Sequence, residues 1–428
     1  MIHTNTMGFP MRILSVIFVL FLTACGGGPS PTPSVTSNCA LKTYVSTYPA
    51  SYLGSNPIPT PIDKFDSSVM RGVGVKDYYP VDNNNCSTPY DYARLLYNAT
   101  LDRLKSINVD TVEIYQYGPV DNFNASVWTV NPANLQIPVD QLIWFVNQAH
   151  SKGLKVTLVW QLWNIDSKGN VINTNNPTES EMVTVLRGWH DVITNIASFA
   201  GLNHFDNLNI QWEAFYYPVV TTYPETATQE FLTIISDIRK VFNGKLFMGT
   251  PRFYDQRIIS QVDAIVVPLY PSNWSYVDDL NMSVSLLKQR FMDSITGIYL
   301  DFALYSGMNP INIPIIWDFN IQSRDKALSQ GWVEDGFCVA LGTDTPIAFG
   351  PSCMQLNYVT DFSVQAQAIE GAFEAIKSQP YFKTYGVNFS TGYWHTDTIV
   401  PGPEGFPNYS QSIRGKPSEN IVKYWYQK

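Results

Sequence analysis

At 428 residues the chain is long enough for one large domain or for two or three ordinary ones, and α/β barrels exceed 250 residues as single domains. Hydrophobic residues at 45% and charged residues at 15% exclude a disordered chain or a coiled coil. The net charge of -9, with no basic run in the body of the chain, excludes the clustered Lys and Arg that nucleic-acid phosphates require.

In chain order, MRILSVIFVLFLTAC at 11 to 25 comes first: one Arg, an apolar run too short to span a bilayer, then Leu22-Thr23-Ala24-Cys25. This resembles a bacterial lipoprotein signal, which implies removal of residues 1–24 and a lipid on Cys25. Residue 26 is Gly and not Asp, so the outer membrane is the expected address. Residues 25–38 are Cys25 and a Gly/Pro/Ser tether, GGGPSPTPSVTSN at 26–38, that cannot bury apolar surface. Export implies an oxidising compartment, and four cysteines remain: Cys39, Cys86, Cys338 and Cys353. Sequence allows three pairings. Cys39 with Cys86 and Cys338 with Cys353 are favoured, because each closes a local loop rich in Pro and Asn. The histidines lack metal-ligand spacing, so no metal and no organic cofactor is expected.

Residues 39–66 read as an irregular lead-in, and 67–428 as alternating strands and helices. The first strand is VMRGVGV at 69–75, followed by a helix at 91–107 and VDTVEIYQY at 109–117. A helix at 139–153 leads to LKVTLVWQLW at 154–163, and a helix at 178–200 to LNIQWEAFYY at 208–217. A helix at 225–242, KLFMGTPRFY at 245–254, a short helix and VDAIVVPLYP at 262–271 follow. A helix at 278–306 precedes NIPIIWDFN at 312–320; a helix at 363–378 precedes YGVNFSTGYW at 385–394, and PSENIVKYWY closes the chain. Eight such pairs predict a (β/α)8 barrel in one domain, with its site at the C-terminal ends of the strands. An open doubly wound sheet is the alternative, but no GxGxxG or GxxxxGK[ST] supports nucleotide binding on one.

One parity of each barrel strand faces the lumen, and the parity under the helices must be apolar. On the fourth strand this places Asn209, Gln211 and Glu213 inside, opposite Leu208, Ile210 and Trp212. On the second it groups Thr111, Glu113, Tyr115 and Tyr117; on the third, Thr157, Gln161 and Trp163. The seventh ends in Asp318, in parity with Ile316. Two carboxylates facing each other across a barrel mouth, Glu213 and Asp318, are what glycoside hydrolysis needs: one protonates the leaving oxygen, the other attacks or activates water. Arg71 or Arg252 pairing Glu213 is the structural alternative, and Asp301, Glu334 or Glu113 are alternatives to Asp318 as second carboxylate. Aromatic residues reach 14%, and Trp160, Trp163, Tyr270, Trp274, Trp317 and Trp394 fall at or beyond strand ends, where rings stack on sugars. Tyr115, Tyr117 and Trp212 join them as candidate substrate contacts, although any one ring is equally well a core residue.

These residues resemble the clan A glycoside hydrolases, and most closely family 113, bacterial endo-β-1,4-mannanases. The similar stretches are AHSKGLKVTL at 149–158, QWE at 211–213, IPIIWDFNIQSRDKA at 313–327, YGVNFSTGYW at 385–394 and SIRGKPSENIV at 412–422. The resemblance implies Glu213 as general acid/base, Asp318 at the nucleophile position and Trp394 lining the -1 subsite. Two positions depart from the family: Trp212 stands where a polar residue usually precedes the Glu, and Asp318 where Glu is usual. Shortening one arm widens the carboxyl gap by about 1 to 1.5 Å. Retention needs roughly 5 to 5.5 Å and inversion roughly 6.5 to 9.5 Å, so Asp318 is either a nucleophile on a shifted strand or a base holding a water. The expectation is a monomeric, lipid-anchored hydrolase of a β-linked poly- or oligosaccharide, β-mannan first. The alternative is a non-catalytic glycan-binding lipoprotein on the same barrel.

Overall fold

The computed structural model describes residues 39–41, 48–75, 86–119, 137–163, 178–211, 224–249, 255–306, 313–318, 320–325, 327–328, 333–334, 337–339, 346–348, 359–393 and 411–428. Eight strands, β1 (Met70–Val75), β2 (Thr111–Pro119), β3 (Lys155–Trp163), β4 (Asn207–Gln211), β5 (Lys245–Gly249), β6 (Ala264–Pro268), β7 (Pro314–Asp318) and β8 (Lys383–Tyr393), close into a parallel barrel. Closure through β1 and β8, with Gly72 opposite Asn388, rules out the open sheet. The helices are α1 (Pro89–Ser106), α2 (Val139–Ser151), α3 (Glu179–Leu202), α4 (Pro224–Val241), α5 (Gln256–Ile259), α6 (Tyr276–Leu280), α7 (Val284–Ser306), α8 (Phe362–Ser378) and α9 (Pro417–Trp425).

Local chemistry sets these boundaries. Thr88 and Asp91 form a reciprocal capping box at the start of α1, with Pro89 in the first turn. Asp361 caps α8 by accepting from the Ser363 and Val364 amides. After α2, Gly153 turns the chain at φ 70 into β3. The single helix expected over 278–306 is two: Ser275 and Asp278 box the start of α6, and the Ser283 hydroxyl accepts from the Leu286 amide to start α7. A capped start just after Asn281 interrupts what the apolar periodicity alone makes continuous. The β7–α8 connection also carries a small antiparallel sheet of Val333–Glu334, Phe337–Val339 and Pro346–Ala348. Strands of two or three residues are too short to show a period of two.

The alternation read from sequence separates two cores. Val112, Ile114, Val156, Leu158, Leu208, Ile210, Ile315 and Val387 pack outward under the helices. Inside, Phe247, Ala264, Val266 and Ile316 form a separate plug with Met70 and Tyr385 against it, near the N-terminal ends of the strands. Each large apolar side chain buried in these layers contributes about 1.5 to 3 kcal/mol.

The lead-in runs along α8 from its first turn to its last. Tyr48 packs edge-on against Phe362, Gln367 donates to the Pro57 carbonyl, and Lys377 pairs with Asp63 at 2.9 Å. Phe65 then enters the core, 5.0 Å from both Phe373 and Trp425. Cys39 is disulfide-bonded to Cys86, the pairing favoured from sequence, with Cα atoms 4.5 Å apart. Cys353 and Cys25 lie outside the described residues, as does the side chain of Cys338, so the proposed Cys338–Cys353 pair does too.

Candidate active site

Asp318 ends β7 and stands opposite Pro268 of β6 and Asn388 of β8 in the register. It is half-buried at the C-terminal end of its strand, on the same parity as the lumenal Ile316. The Asn388 Nδ2 amide donates to Asp318 Oδ1 at 2.9 Å and to Glu113 Oε2 at 2.7 Å. The Tyr115 hydroxyl donates to the same Glu113 oxygen at 2.9 Å. Two carboxylates on β2 and β7, the strands that flank the adjacent β1 and β8, are therefore bridged by one neutral amide.

The backbone makes room for this bridge. A Cβ on Gly72 would lie 2.6 Å from Asn388 Oδ1, so β1 approaches the amide only because residue 72 has no side chain. That contact faces the amide oxygen toward β1 and its nitrogen toward the acids.

Glu113 is 1% exposed, and burial pushes its carboxyl up to about 8, with the neighbouring Asp318 charge adding to the rise; the Tyr115 and Asn388 hydrogen bonds act the other way. At neutral pH Glu113 is therefore held in its protonated form. Glu113 Oε1 and Asn388 Oδ1 are buried and meet no hydrogen-bond partner among the described residues. On β4, Asn209 is likewise fully buried with neither amide atom partnered among the described residues, while the neighbouring Asn207 donates to Thr157 Oγ1 at 2.9 Å.

The structure brings together only some of the residues singled out from sequence. Trp212, Glu213 and Trp394 lie outside the described residues, as do the side chains of Gln211, Tyr117 and Trp163. Tyr115 is lumenal but only 3% exposed, with its hydroxyl on Glu113. Tyr270, 57% exposed two residues past β6, and half-buried Trp274, whose indole N–H donates to Asp279, sit in the β6–α6 connection at the C-terminal end of the barrel. Trp160 and Trp317 correct the expectation of a substrate contact: both belong to the helix-side core, 2% and 0% exposed. Each stands on the parity opposite the lumen, and Trp317 meets Phe382 edge-on at 5.6 Å.

Arg71 lies on the helix side of β1, ion-paired with Asp110 at 3.5 Å. Asp301 is carried by the outer helix α7, away from the strands, and the Glu334 side chain is outside the described residues. Of the alternatives to Asp318 that are described, only Glu113 is lumenal. Sequence reasoning passed over Asn388, although its signal was present: a polar residue between Val387 and Phe389, on the lumenal parity of β8.

No family model matches the chain, and no curated protein matches it in sequence. Solved structures do. A glycoside hydrolase family 113 β-1,4-mannanase superposes with a TM-score of 0.54 at 14% identity, covering 84% of this chain and 99% of that one. The family 113 β-mannanase AaManA from Alicyclobacillus acidocaldarius, in complex with ManMIm, gives 0.52 at 14% identity over 84% and 98%. A GH5_18 protein from Bifidobacterium longum subsp. longum gives 0.50 at 11% identity over 84% and 78%. In fold, the chain resembles the family 113 β-mannanases along nearly their whole length.

Proposed function

We propose that the protein is a glycoside hydrolase, held in the cell envelope by a lipid on Cys25, that cleaves a β-linked polysaccharide or oligosaccharide, with β-mannan the first substrate to test. The observation that carries this reading is Asp318: a carboxylate at the C-terminal end of a barrel strand, where barrel enzymes place their chemistry, oriented by the Asn388 amide. Glu213, two residues past the end of β4, supplies the second group. In this reading Glu213 protonates the departing glycosidic oxygen. Asn388 holds Asp318 Oδ1, and the other oxygen attacks the anomeric carbon or takes a proton from an attacking water. The neighbours described as β-mannanases support β-mannan as the starting substrate. No cofactor is needed by a mechanism that runs on two carboxylates.

The test is hydrolysis of β-mannan and manno-oligosaccharides by the wild type, Glu213→Gln and Asp318→Asn. Each variant is expected to lose at least about a thousandfold in kcat while still binding oligosaccharide. Binding by the wild type with no hydrolysis of any β-linked glycan would instead favour a glycan-binding lipoprotein. The anomer of the first product separates the two roles of Asp318: retention makes it the nucleophile, inversion the base.

A further inference from the structure

Asn388 spends both amide hydrogens on carboxylates, one on β2 and one on β7. Glu113 gathers two donors, from Tyr115 and Asn388, on one oxygen and leaves the other, Oε1, buried with no partner among the described residues. A bare anionic oxygen in such a place costs far more than a protonated one. No cation balances it among the described residues. Its register neighbours are Gly74 on β1 and Thr157 on β3; Tyr115 shares its strand, and Asp318 is the charged group that acts on it. Arg71 and Asp110 pair with each other on the other side of the β1–β2 layer.

We infer that Glu113 is a positioning residue for Asp318 that works as a protonated acid through Asn388, anchoring the amide that holds Asp318 Oδ1 without adding a second negative charge to the lumen. The inference rests on the reading of Asp318 as the working carboxylate. Its chemistry requires two things of residue 113: an oxygen that accepts from Asn388, and no charge. Gln supplies both, Ala supplies neither acceptor nor bulk, and ionised Glu supplies the acceptor with a repulsive charge beside Asp318.

Two variants and two readouts test it. Glu113→Ala should lower kcat about 30-fold with KM within about threefold, because the amide loses an anchor and Asp318 loses its orientation. Glu113→Gln should recover most of that loss and should lack the fall in kcat expected of the wild type as pH passes about 8. Independently of turnover, infrared difference spectra at neutral pH should show a protonated-carboxyl C=O band in the wild type that is absent from Glu113→Gln. An unchanged alkaline limb in Glu113→Gln, a loss in that variant as deep as in Asp318→Asn, or absence of the infrared band would each overturn the inference. If the wild type hydrolyses no glycan while the band is present, the proposed function fails and the proton on Glu113 stands.

Discussion

Asn388 and Asp318 are opposite each other in the β8–β7 register and joined at 2.9 Å from amide to carboxylate. The strand pairing thus fixes the separation of the two backbones, and the hydrogen bond fixes one oxygen of the acid. Because the amide sets the orientation of that carboxylate, Asn388 is an experimental handle on it.

Asn388→Ala removes both donors at once, leaving Asp318 Oδ1 and Glu113 Oε2 short of a partner. It is expected to reduce kcat about 10- to 100-fold with a smaller effect on KM, read by steady-state kinetics on β-mannan. Asn388→Asp, which keeps the size and adds a third acid, should be worse than the alanine.

Gly72→Ala places a methyl 2.6 Å from Asn388 Oδ1, a distance that forces the amide or β1 to move. The expected cost is about 1 to 3 kcal/mol of stability by denaturant titration, together with a loss of kcat resembling that of Asn388→Ala. Gly297, which has open space where a Cβ would go, is the control: Gly297→Ala should leave both unchanged or stabilise its helix.

Glu113 also makes stability depend on pH in a defined direction. Its carboxyl titrates near 8 in the folded chain and near its ordinary 4.5 when unfolded, so between those values the folded state binds the extra proton. Its contribution is fully present below about pH 4.5 and is lost as pH rises toward 8. The difference in Tm between Glu113→Gln and the wild type should therefore move in favour of the variant between pH 5 and pH 8, and level off above that.

Two of the lead-in's fastenings can be cut separately. Phe65→Ala empties a site lined by Phe373 and Trp425 and should cost about 3 to 5 kcal/mol. Breaking Cys39–Cys86 with Cys39→Ser and Cys86→Ser should cost about 2 to 4 kcal/mol, with no change in the wild-type alkaline limb. Thermal unfolding with and without reductant checks the second.

The barrel was legible because period-two alternation in β2, β4 and β7 is strong: Val112 and Ile114 face out, Glu113 and Tyr115 face in, and Asp318 follows Ile316 into the lumen. The same rule, applied to β3 and β7, assigns Trp160 and Trp317 to the helix side; their nearness to strand ends suggested sugar contacts, but parity outweighs proximity. Asn388 was missed for a different reason. Its importance lies in bridging strands 70 and 275 positions away in sequence, and no local pattern encodes that meeting. The disulfide between Cys39 and Cys86 was readable because it closes a local loop rich in Pro and Asn.

The most direct measurement is the rate of reducing-end release from β-mannan by Asp318→Asn beside the wild type, at a pH where Glu113 is protonated. The account predicts a loss of at least about a thousandfold with oligosaccharide binding retained. A rate within about tenfold of the wild type would contradict it, because the carboxylate that Asn388 orients would then not be the one that does the chemistry.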